Sequence, residues 1–417
     1  MKSRRLRRVA AVGLLAAVCL TAPACQSDSA PKKAGPLTVP GIDLKPDTKG
    51  AGAVPGALVS ASTFPTLDLR LKSAVSLAAR VAYTSTSGIT GEHTEVSGSV
   101  FVPNGTPPPG GWPIIVFGHA TSGMQRDCGP SGSATLQGLS QPITTLVKAG
   151  YVVSLPDYQG LGPGTAGHPY ADATTVGYNV IDAARAAHKL VPESADRWLA
   201  VGVSQGGQAA WAANELAARY GTGLTLVGTV SLSPATDLTG LASGAAAGSL
   251  SKEQGAILQL ILAALATENP SLNLQDYRRG EVADHWDVLA SCRTEDAAAR
   301  AAAIDKITPD DLRPASPQAE TTLQGLLAKR SLPKEPTSAP MLVLYGGQDT
   351  LLLPDWTNKA LASACRLGDV IDIMFQPTKG HADIDVAMSY DWIKDRFDGV
   401  PAPNSCPSFN STQGAGQ

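Results

Sequence analysis

The chain has 417 residues with 33 basic and 36 acidic side chains, enough for one large domain with an insertion or for two domains. Five of the cations fall in the first eight positions, and without them 28 basic face 36 acidic residues, a charge of about −8. That balance argues against nucleic acid as a partner and against electrostatic docking on anionic lipid.

The basic residues 1–8 precede an apolar run over 9–20, too short to span a bilayer, and the small residues Thr21-Ala22-Pro23-Ala24 before Cys25. That order predicts an export signal over residues 1–24. Cys25 has two readings, the lipidated N-terminus of an envelope lipoprotein or the first residue of a free secreted protein. Residues 25–60 are rich in Pro, Gly, Ala and Lys and read as a tether or linker. Beyond the junction lie Cys128, Cys292, Cys365 and Cys406. Four cysteines in an oxidising compartment predict two disulfides, with three pairings possible. No Cys-x-x-Cys and no histidine cluster marks a zinc site.

Residues 80–84 and 95–103 read as an antiparallel pair turned at Gly88 and Gly91. Apolar runs at 113–118 and 151–155 predict strands buried on both faces, and 198–203, 226–232, 341–345 and 370–375 continue the series. Helical patterns cover 134–148, 174–190, 205–220 and 356–364. Strands alternating with helices predict an α/β architecture with an eight-stranded, mostly parallel sheet. The gap between Pro234 and Pro340 reads as wholly helical. It predicts a cap over 241–335 inserted in a core of residues 61–240 and 336–406, with a flexible tail over 407–417. Inside the cap, residues 256–266 carry Gln259 as their only polar member. A helix apolar all round is either the core of the cap or a wall facing acyl chains.

Gly202-Val203-Ser204-Gln205-Gly206 is the only G-x-S-x-G in the chain. It stands between a predicted strand and a predicted helix, so Ser204 falls on a sharp turn with its hydroxyl exposed, and the positions two away on each side must be small. A serine hydroxyl needs a base. His381 follows the last predicted strand in Gly380-His381, and Asp349 follows the strand before it in Gly347-Gln348-Asp349. The order Ser204, Asp349, His381 is the triad order of α/β-hydrolases. Asp372 and Asp383 are substitutes for the carboxylate. The backbone N–H of Gln205 is one expected oxyanion donor. The second is expected from the Gly118-His119-Ala120-Thr121-Ser122-Gly123 loop, at Thr121 or its neighbour Ser122, with His119 propping the loop. Asp157 and Tyr158 are expected to anchor a turn.

Several segments together resemble the secretory lipases related to Candida antarctica lipase A, in their actinobacterial branch. They are Val96-Ser97-Gly98-Ser99-Val100-Phe101-Val102-Pro103, Gly118-His119-Ala120-Thr121, Asp127-Cys128-Gly129-Pro130-Ser131 and Pro156-Asp157-Tyr158-Gln159-Gly160-Leu161-Gly162. His168-Pro169-Tyr170, the Ser204 motif, Gly347-Gln348-Asp349 and Gly380-His381 continue the likeness, from about residue 75 to 400 with the cap least matched. The resemblance implies an α/β-hydrolase fold with a helical cap, a serine esterase or lipase acting through an acyl-enzyme, and disulfides Cys128–Cys292 and Cys365–Cys406. Such chemistry needs no cofactor and no metal. The expected partner is a small-molecule or lipid ester, and any membrane contact runs through the anchor at Cys25. The rival readings are a serine peptidase or acyltransferase on the same fold, and an inactive substrate-binding lipoprotein.

Overall fold

Alternation along the buried strands sends neighbouring side chains to opposite faces of one sheet, and each face is roofed by helices. In the computed structural model, which describes residues 40–164 and 166–414, nine strands form that sheet. They are β1 (Leu58–Thr63), β2 (Val75–Thr86), β3 (His93–Pro103), β4 (Trp112–Gly118), β5 (Val152–Pro156), β6 (Ser194–Val203), β7 (Thr225–Leu232), β8 (Met341–Gly346) and β9 (Ile371–Gln376). Their order is β1-β2-β3-β5-β4-β6-β7-β8-β9, antiparallel from β1 to β5 and parallel from β5 to β9. The expected export signal, Cys25 and the first part of the tether lie outside the described residues.

On β4, Ile114 and Val116 face one core while Ile115 and Phe117 face another. Helices α1 (Leu69–Ala74) and α2 (Ser140–Lys148) lie on the Ile115 side, and α3 (Ala173–Leu190) and α4 (Gln205–Tyr220) on the Ile114 side. Between β7 and β8 run α5 (Gly240–Ala247), α6 (Lys252–Glu268), α7 (Gly280–Asp284), α8 (Trp286–Leu289), α9 (Ala297–Lys306) and α10 (Pro317–Arg330). They close on a core of their own that includes Leu258, Ile261, Leu262, Leu265, Leu323 and Leu327. Helix α6 starts at a capping box, where Ser251 and Gln254 exchange side-chain-to-backbone hydrogen bonds of 3.1 and 3.0 Å. The remaining helices are α11 (Pro354–Leu367), α12 (Ala387–Phe397) and α13 (Cys406–Gly414).

Two boundaries differ from the sequence reading. The linker expected up to residue 60 ends earlier, because β1 starts at Leu58 and adds a ninth strand beside the eight expected ones. Its neighbourhood is Pro- and Gly-rich, yet Leu58 and Ala61 are buried against β2. The tail expected over 407–417 is in its described part the helix α13, whose first residue is tied by a disulfide from Cys406 to Cys365 in α11.

The parallel sheet reverses its direction of growth at β4, which lies between β5 and β6. In open α/β sheets that switch point, at the carboxyl ends of the strands, leaves a crevice for a ligand. Gly118 at the end of β4 is in register with Gly202 at the end of β6.

Candidate active site

Ser204 stands between β6 and α4 with φ +57° and ψ −115°, a conformation that a residue with a β-carbon adopts only under constraint. The constraint is visible at its neighbours. A β-carbon on Gly202 would lie 2.0 Å from the carbonyl oxygen of Gly206, and one on Gly206 would lie 2.0 Å from that of Gly118. Any larger residue at either place would push the turn apart. The turn is fastened by Ser204 N–H to Leu232 O at 2.9 Å and by Ala235 N–H to Ser204 O at 3.2 Å. The amide of Gln205 opens α4, so it has no acceptor within the helix and lies at the positive end of the helix dipole.

The strands beyond β7 deliver the other two groups. Asp349 is buried in the loop after β8, where its Oδ1 accepts from the amides of Leu351 and Leu352, both at 2.9 Å. Its Oδ2 is 2.7 Å from Nδ1 of His381, in the loop after β9. The carboxylate has acceptor capacity only, so Nδ1 carries the proton and the Nε2 lone pair is left open. Asp383 instead accepts from Gly380 N–H and faces Lys379, and Asp372 sits within β9. The His381–Asp349 bond is in place, while no hydrogen bond joins His381 to Ser204 in this structure. Such contacts often tighten only when substrate is bound.

Ser204 and Gln205 line a tight cleft with Tyr170, Ala171, Ala235, Leu238, Ile257, Ile261, Leu351 and Leu352. Two larger hollows on the molecule do not include Ser204. Helix α6 contributes both to the cap core and to the lining of this cleft. Leu258, Leu262 and Leu265 fill the cap, while Ile257 and Ile261 face the serine. Its polar Gln259 is buried and donates to Trp286 O at 3.0 Å.

The loop after β4 is held from several sides. Asp157 is fully buried and accepts from the hydroxyls of Ser97 and Ser131, each at 2.5 Å, and from Ser131 N–H at 2.8 Å. Tyr158 stacks on His119 at 4.3 Å between ring centres and donates to His119 O at 3.2 Å. Met124 N–H donates to Ala290 O, and the disulfide Cys128–Cys292 lies beside that contact. The loop after β4 is thus tied to the cap. Thr121 Oγ1 is 2.6 Å from Tyr170 OH, and Ser122 Oγ is buried without a partner.

Two side chains that sequence reasoning left without a role stand here. Burial pushes the His168 imidazole down to about 3, so it is neutral, and its Nε2 lies 3.1 Å from the Gln205 side-chain nitrogen. Burial raises Tyr170 to about 12, which keeps its hydroxyl protonated. Only the His-Pro-Tyr likeness flagged them.

A strained serine between strand and helix, followed by an aspartate and a histidine from later strand ends, stands on this strand order as an α/β-hydrolase. The chain belongs to the secretory lipase family, whose sequence model matches residues 131–405, and this makes it an ester hydrolase of the lipase and esterase kind. It is similar in structure to Candida antarctica lipase A, with a TM-score of 0.69 and 15% identity over 85% of this chain and 84% of that one. The closed state of the same lipase gives 0.67 and 14%, over 84% and 86%. A rice cell wall degrading esterase from Xanthomonas oryzae, in a ligand-bound form, gives 0.63 and 20%, over 86% and 98%. Among curated proteins no sequence matches the chain.

Proposed function

We propose that the protein is an exported serine carboxylic-ester hydrolase whose nucleophile is Ser204, with His381 as base and Asp349 as its orienting carboxylate. The observation that carries this reading is the 2.7 Å His381–Asp349 bond at the same sheet edge as the strained Ser204. Ser204 attacks the ester carbonyl while Nε2 of His381 takes its proton. The backbone amides of Gln205 and Thr121 hold the oxyanion. His381 then protonates the leaving alcohol, and the acyl-enzyme remains on Ser204. Water, deprotonated by His381, releases the acid. No step calls on a metal or cofactor. The apolar wall of Ile257, Ile261, Leu238 and Leu352 favours aliphatic acyl groups. Export follows from the N-terminal segment, with Cys25 as lipid anchor or as the first residue of a secreted form.

Turnover of p-nitrophenyl esters from acetate to palmitate tests the reading. Wild-type protein should hydrolyse them, and Ser204→Ala or His381→Ala should lower kcat by on the order of 10⁵–10⁶-fold. Turnover that survives in folded Ser204→Ala would assign the activity elsewhere.

A further inference from the structure

The four residues from His168 to Ala171 touch both sides of the oxyanion site. His168 donates from Nδ1 to Gln159 O at 2.8 Å, which leaves the Nε2 lone pair to accept from the Gln205 side-chain amide at 3.1 Å. The other end of that amide, Gln205 Oε1, is buried without a partner among the described residues, and among them His168 is the one hydrogen-bonding anchor of the Gln205 side chain. Two residues on, the Tyr170 hydroxyl meets Thr121 Oγ1 at 2.6 Å. Ala171 lies in the left-handed region at φ +60°, and its carbonyl accepts from Gln208 in α4 at 3.2 Å. From behind, Arg330 donates to Tyr170 O at 2.8 Å and is paired with Glu268 at the end of α6.

One short segment therefore grips the side chains of the two residues whose amides are expected to hold the oxyanion. We infer that His168 and Tyr170 are positioning residues that set the spacing between the Gln205 and Thr121 amides, an inference that rests on the hydrolase reading above. Neither touches substrate in this role. An oxyanion hole works only when both donors stand about 3 Å from where the charge develops, and shifts near 0.5 Å already matter. A side chain fixed at its tip limits the drift of its own backbone. The strain at Ala171 fits a segment whose path is dictated by what it must reach.

The test uses purified mature protein, p-nitrophenyl butyrate as substrate and an alkyl trifluoromethyl ketone, which forms a tetrahedral oxyanion adduct on serine. Tyr170→Phe keeps the ring and removes the grip. It should lower kcat by about tenfold, a fraction of the 10²–10³-fold that loss of a whole donor brings. KM should stay within about twofold, and the inhibitor constant should rise by the same factor as kcat falls. His168→Ala should behave alike, and His168→Gln, which restores an acceptor, should recover part of the loss. Tyr170→Phe combined with Thr121→Val should be no worse than the more damaging single change, because both delete one contact. Wild-type kcat and inhibitor affinity in Tyr170→Phe would overturn the inference and leave the hydrolase reading intact. So would a fall in melting temperature and rate with an unchanged inhibitor constant. A folded wild-type protein that turns over no ester would overturn both.

Discussion

Around Ser204 the chain is held backbone against backbone, with 2.0 Å of clearance for any β-carbon at Gly202 or Gly206. In the cap, from Gly240 to Arg330, the contacts that matter are side chain against side chain, and the wall over the serine is made of Ile257 and Ile261. Steric limits of the first kind admit one residue type, whereas an apolar wall accepts many shapes of similar volume. On the proposed reading the elbow sets the reaction and the cap sets which esters reach it. Among the contacts that join the two are the Cys128–Cys292 disulfide, the Arg330–Tyr170 contact, and Glu215 in α4, which accepts from the amides of Lys334 and Glu335 where the chain returns from the cap.

Changes at the elbow should be the most severe. Asp349→Asn leaves the shape but no longer stabilises the imidazolium, and kcat should fall by on the order of 10⁴-fold with KM little changed. Steady-state kinetics across the ester series checks this, and activity near wild type would remove Asp349 from the mechanism. Gly206→Ala places a methyl 2.0 Å from Gly118 O and 2.8 Å from His119 O. It should cost at least about 4 kcal/mol of stability or prevent folding, as read by soluble yield and melting temperature.

Cap substitutions should change selectivity instead. Ile257→Ala opens space in the wall over Ser204, and the ratio of kcat/KM for long over short acyl esters should rise by about tenfold. An unaltered ratio would show that the acyl chain does not pass Ile257.

The smallest effect is expected at the joint. Burial raises Glu215 to about 7 from an ordinary 4.5. Between those values the native carboxyl keeps a proton that the unfolded chain has lost, so its contribution to stability is largest below pH 4.5 and is lost as pH rises through 7. Glu215→Gln stays neutral throughout. The stability of the variant relative to wild type should therefore improve by up to about 3 kcal/mol between pH 4.5 and 8. Melting temperatures at both pH values would show this as a few degrees, and an equal gap at both would discount the buried charge.

The same contrast explains what was readable beforehand. Strands β4 to β8 carry largely apolar runs, and the elbow carries two glycines, because burial and backbone crowding restrict residue type directly. Helix α6 was legible as apolar, but its division between cap core and serine wall was not, since that depends on rotation within the fold. Strand β1 was hidden by the Pro- and Gly-rich residues before it, and its pairing with β2 is what buries Leu58 and Ala61. His168 and Tyr170 reach partners 37 and 49 positions away through single hydrogen bonds, which leave no periodic trace along the chain.

Reaction of the mature protein with a fluorophosphonate, followed by peptide mass spectrometry, bears most directly on the nucleophile. One adduct is expected, on Ser204, lost in Ser204→Ala and slowed in His381→Ala. Folded, unlabelled wild-type protein, or an adduct on any other residue, would contradict this.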